Sequence, residues 1–149
     1  MTTDMTQAQN PFGISYDPYR HLAEHYPHIA VIRIRLNDKV VGLTDGKSVV
    51  FLDERLNEVE DRNVLCHEVV HIDHGHGTCQ PPEVEYMVRA ETARRLIDID
   101  ELLKATQVTQ DRAALARLVN VTRQTLHDRL ATSSEEDRAK LWNAHPKGL

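Results

Sequence analysis

The pentapeptide His67-Glu68-Val69-Val70-His71 constrains this chain more than any other feature. Val64, Leu65, Val69, Val70 and Ile72 give it the apolar background of a buried helix, which the spacing predicts over about residues 61–74. Residues four apart on a helix differ by about 40° in direction, so both imidazoles leave one face. Two imidazoles so placed can bind one Zn²⁺, with the intervening glutamate beside the metal's open position. The chemistry that follows is hydrolytic: a metal acidifies a water and the carboxylate takes the proton.

The rest of the chain must supply a scaffold small enough for 149 residues, which means one domain, or one domain with an appendage. No apolar run approaches the roughly 18 residues of a membrane span, and the start, MTTDMTQAQN, has no basic and apolar leader. A cytoplasmic location is the expectation, and two cysteines, Cys66 and Cys79, fit a reducing compartment. Cys66, next to the first histidine of the motif, reads as core packing rather than a reactive thiol. The net charge of −5 argues against a general nucleic-acid coat. Its distribution is uneven. Residues 1–105 carry 11 basic and 18 acidic side chains, whereas residues 106–149 carry 7 and 5.

Punctuation along the chain suggests the organisation. Residues 1–15 read as a loose arm, residues 16–105 as the metal-binding domain and residues 106–149 as a C-terminal helical segment. Asp17-Pro18 looks like a helix start, followed by Tyr19, Leu22, Ala23 and Tyr26 at helical spacing. Residues 29–36 alternate Ile32, Ile34 and Leu36 with Arg33 and Arg35, as in a half-buried strand. Residues 40–43 and 48–52 flank Asp45-Gly46, a hairpin signal. A small antiparallel sheet is therefore expected before the motif helix, giving an α+β fold of zincin-like layout. Gly75, Gly77, Pro81 and Pro82 break the chain, and helices are expected over 83–97 and about 98–104.

Two histidines do not complete a catalytic zinc site, which normally takes three protein ligands and one water. The pattern H-E-x-x-H-x-x-G-x-x-H fails here, because His74 stands at the glycine position and Gly77 at the histidine position. Both His74 and His76 follow the helix end, where solvent exposure is the expectation and a place near the metal the alternative. A carboxylate of the next helix is the other source, with Glu83, Glu85 and Glu91 as candidates. Helical geometry alone does not choose among them.

The motif and the segment Glu85-Tyr86-Met87-Val88-Arg89-Ala90-Glu91-Thr92-Ala93-Arg94-Arg95-Leu96-Ile97 together resemble the ImmA/IrrE family of zinc metallopeptidases. The resemblance spans about residues 18–132 and is nearest to versions from actinobacteria and their phages, usually set beside an immunity repressor. Val88 departs from the family's small residue and Asp98 from its common proline. The resemblance places the third ligand on Glu85, beside His67 and His71, and makes Glu68 the catalytic acid–base. It implies Zn²⁺ as cofactor and, as partner, a protein substrate, a helix-turn-helix repressor of a phage or mobile element. Tyr86, His74 and His76 are candidates for a further oxyanion donor. An alternative from another class is a non-proteolytic regulator that binds a repressor or DNA and uses the metal structurally.

In the C-terminal segment, helices over 111–118 and 122–130 flank the turn Val119-Asn120-Val121, and Ser133-Ser134-Glu135-Glu136 caps a last helix. Leu115, Leu118, Val121, Leu126 and Leu130 form the expected core of a helix-turn-helix-like element. Arg123, Gln124 and His127 would then face outward, as base- or phosphate-contacting residues do. The small basic surplus favours a three-helix cap, packing on the peptidase part or docking a protein, over direct DNA recognition.

Overall fold

A computed structural model describes residues 16–148, so the arm expected over 1–15 lies outside the described residues. Contacts divide the chain into two compact units, one of them Tyr16–Leu96, with Ile97 onward in the other.

In the first unit, helix α1 (Pro18–His25) starts at Asp17, whose carboxylate accepts the Tyr19 amide at 2.9 Å. Three strands follow: β1 (Ala30–Ile34), β2 (Gly42–Thr44) and β3 (Val49–Asp53). The β2–β3 hairpin forms around Asp45-Gly46 as the sequence suggests. Asp45 Oδ1 accepts the amides of Lys47, Ser48 and Val49 at 2.8–3.2 Å, and Gly46 turns the chain at φ 76°. A carboxylate holding that many donors lies well below its ordinary pKa, the Ser48 hydroxyl contributing most.

The expected antiparallel sheet is corrected in one respect: it is mixed. The strand order is β1-β3-β2, β2 runs antiparallel to β3, and β1 runs parallel to it. The long connection from β1 to β2 lets β1 reach the far edge of β3 rather than pair with its neighbour in sequence. The burial phase of β1 also differs from expectation. Val31 packs toward the core, while Ile32 and Ile34 are each 40% exposed. Ile32, Phe51 and Leu43 align in one row across the outer face.

Helix α2 (Glu58–Asp73) carries the motif. Its start is fixed by a reciprocal capping box, with Asn57 Oδ1 accepting the Glu60 amide and Glu60 Oε1 accepting the Asn57 amide. Glu58, Glu60 and Asp61 sit in the first turn, where the helix dipole favours acids. Leu65, Val69 and Ile72 pack with Leu22, Ile29, Val50 and Leu52 to form the core of this unit. Helix α3 (Pro82–Leu96) begins at a proline, carries Glu83 and Glu85 in its first turn and ends in Arg94 and Arg95.

Among the described residues the second unit contains four helices: α4 (Ile99–Thr106), α5 (Arg112–Leu118), α6 (Arg123–Ala131) and α7 (Glu135–Ala144). Each is capped in turn by the side chain of Asp98, Asp111, Thr122 or Ser134. For α7 the cap is one residue later than the sequence pattern suggests, with Ser134 holding the Asp137 amide while Ser133 donates to the Arg129 carbonyl. Asn120 turns the chain between α5 and α6 at φ 57°, a conformation asparagine tolerates better than most residues. Leu115, Val121 and Leu126 are buried as expected, but Leu118 and Leu130 are only half-buried. A buried charge organises the middle of this unit: Arg129, 3% exposed, donates to the Ile97 carbonyl at 2.8 Å and pairs with Asp137 at 2.7 Å. Among the described residues no helix is long and apolar enough to cross a membrane.

Candidate metal centre

The last two turns of α2 are buried on nearly every side. Leu65, Cys66, Val69 and Val70 are fully excluded from solvent, and His71 and Glu68 are 5% and 7% exposed. Burial pushes the Cys66 thiol up to about 12, so it remains a packed thiol, as its position suggests. Cys79 is exposed.

Helical spacing brings His67 and His71 together, with Nε2 of each 3.2 Å from the other. The first turn of α3 closes the triangle. Glu85 Oε2 lies 3.0 Å from His67 Nε2, and Glu85 Oε1 lies 3.1 Å from His71 Nε2. These three residues form a group that could hold a metal ion. Tetrahedral zinc with donors at about 2.0–2.1 Å keeps them about 3.3 Å apart, close to the spacing found here. Burial lowers both imidazoles, helped at His67 by the charge of His71 and opposed at both by Glu85, so each is disposed to offer a lone pair. The fit rests on the donor chemistry as well as the distances. Two neutral imidazoles and one carboxylate, all aimed at one point, are stable only around a proton or a cation.

The other candidate ligands have different employment. Glu91 binds Arg95 at 2.6 Å and His74 Nε2 at 2.9 Å, away from the triangle. Glu83 is exposed and outside the group. His74 is exposed, as expected of a residue past the helix end. His76 corrects that expectation: it is half-buried, and its Nδ1 lies 3.0 Å from His71 Nδ1. Tyr86 is 61% exposed.

Glu68 points from α2 toward the sheet. Burial first, and the Glu85 carboxylate second, push its carboxyl up to about 7. Here the structure adds a residue that sequence reasoning missed. Gly42 of the edge strand β2 crosses α2 so closely that a Cβ there would lie 2.4 Å from Val64 Cγ1 and 3.1 Å from Glu68 Oε1. A glycine within a strand is itself the signal for such an approach. The contact sets the edge strand directly over the acid–base candidate.

Compared with known proteins, the chain matches no family model, no curated protein and no solved structure. The metal centre therefore stands on its own geometry.

Proposed function

We propose that the Tyr16–Leu96 unit is a zinc-dependent peptidase. The observation that carries this reading is the convergence of His67, His71 and Glu85 next to the buried carboxyl of Glu68. His67 and His71 would hold the ion from one helix and Glu85 from the next. When bound, the metal supplies a Lewis acid that brings a water's pKa down to roughly 7 and draws charge from a carbonyl oxygen. Glu68 takes the proton from the attacking water and returns it to the leaving nitrogen. The β2 edge, paired with β3 on one side, offers backbone groups on the other to an extended substrate segment. Gly42 keeps that edge within reach of Glu68.

The donor count favours catalysis over a structural role for the metal. Structural zinc is closed by four protein donors, whereas catalytic zinc has three and an open position. The group here numbers three, and the Glu85 side chain is 39% exposed. The likeness of residues 67–71 and 85–97 to ImmA/IrrE peptidases supports a helix-turn-helix repressor of a phage or mobile element as the protein cut. The test uses purified full chain, Zn²⁺ and a repressor encoded beside it. Wild type cleaves, and Glu68→Gln keeps stoichiometric zinc but does not cleave. Undiminished cleavage by Glu68→Gln would reject Glu68 as the acid–base, and zinc-loaded wild type that leaves the repressor intact would make the regulatory binding module the better account.

A further inference from the structure

Both ring nitrogens of His71 are engaged. Nε2 belongs to the donor triangle, while Nδ1 meets His76 Nδ1 at 3.0 Å. One proton must lie between those two Nδ1 atoms for the contact to be a hydrogen bond. If His71 is to aim a lone pair from Nε2, its own proton belongs on Nδ1, and His76 must be the acceptor. The proton of His76 then resides on its Nε2.

The position of His76 is set from three directions. Its amide donates to the His71 carbonyl at 3.0 Å, after Gly75 has turned the chain at φ 69°. Its ring stacks on His74, with centroids 5.6 Å apart and planes 20° from parallel. His74 is in turn tied to Glu91, and Glu91 to Arg95. On the other side the hairpin tip closes in: a Cβ at Gly46 would come within 2.3 Å of the His76 carbonyl oxygen. A loop residue held by a backbone bond, a ring stack and a neighbouring turn is placed for a purpose beyond chain reversal.

We propose that His76 is a positioning residue for the metal centre, fixing His71 in the tautomer that carries its proton on Nδ1 and so presents the Nε2 lone pair to the ion. Metal-bound histidines generally donate their second N–H to a fixed acceptor, and losing that acceptor weakens metal binding about 10–100-fold. Here the acceptor is a neutral imidazole from the loop after the motif helix. The proposal rests on the metal-centre reading above. It also gives Glu91 a task, because Glu91 steadies the His74 ring on which His76 stacks.

Zinc affinity of the full chain, measured by competition with a chromophoric chelator, tests the proposal alongside the ¹⁵N chemical shifts of the His71 ring. Circular dichroism controls for folding. His76→Phe keeps a ring for the His74 stack but removes the acceptor, and we expect about 10–100-fold weaker zinc binding. His76→Asn places Oδ1 near the position of Nδ1 and should restore affinity to within about threefold of wild type, which a purely packing role would not predict. In zinc-loaded wild-type protein the ¹⁵N shifts should place the His71 proton on Nδ1. A folded His76→Phe that binds zinc as tightly as wild type overturns the proposal, as does a zinc-loaded wild-type His71 protonated on Nε2. His76→Asn binding as weakly as folded His76→Phe overturns it too. Wild-type protein that binds no zinc overturns the metal-centre reading itself, a result distinct from the others.

Discussion

Which glutamate faces the two motif imidazoles is decided by six residues of helix. Glu85 and Glu91 share α3 but leave it in different directions, the first toward the two imidazoles, the second toward His74 and Arg95. Equilibrium dialysis separates them: Glu85→Ala should lose about 100-fold or more in zinc affinity, while Glu91→Gln should still bind one equivalent. Equal losses in the two variants would contradict the assignment. The motif pair could be read from spacing alone, because i and i+4 on a helix must converge. The third donor could not, because its direction depends on how α3 crosses α2; only the family resemblance pointed to Glu85. His76 was harder still, since a histidine after a helix end has no periodicity to report its surroundings.

Elements show where local pattern ends and tertiary contact takes over. The caps of α1 and the hairpin at Asp45-Gly46 follow from nearest neighbours in sequence, and both form where the pattern places them. The parallel pairing of β1 does not, because alternating apolar residues suit either direction of partner. Nor did alternation reveal that Ile32 and Ile34 face outward. The crossing of β2 over α2 is equally tertiary, and it is testable. Val64 is β-branched and stiff in its helix, so it cannot easily swing away from a methyl group added at position 42. We expect Gly42→Ala to cost about 1–3 kcal/mol by urea denaturation, and a smaller cost in a Val64→Ala background; full additivity would refute the steric account. At the end of α2, Asp73 joins that helix to α1 and α3. Burial alone would raise its carboxyl, but hydrogen bonds from Tyr26, Arg95 and His21 outweigh burial and hold it below its ordinary value. A depressed folded-state pKa stabilises above the unfolded value of about 3.9, and that contribution is lost as pH falls through the folded-state value. Asp73→Asn should therefore be less stable than wild type by about 1–3 kcal/mol at pH 7, with the gap closing below about pH 4. A gap that persists unchanged in acid would argue against this linkage.

At the scale of the whole molecule, two compact units divide the chain and differ in charge. From Ile97 onward there are eight acidic and eight basic side chains, whereas the preceding residues hold the excess of acid. Arg123, Gln124 and His127 are exposed on α6, where a recognition helix would carry its contacts. Yet Gln124 donates to Asp128 on the same helix, and the unit has no surplus of positive charge to release counterions. A gel-shift series with random duplex DNA at micromolar protein should show no retarded band near physiological salt. A band that weakens steeply as salt rises would instead make this unit a DNA reader. Hairpin tips ordinarily absorb insertions without harm because they face water. This one does not have that latitude. With Gly46 pressed against the loop that carries His76, one extra residue between β2 and β3 would displace a backbone carbonyl and, through it, an imidazole. The length of a surface turn far from the motif in sequence thus bears on how the His71–His76 pair is set.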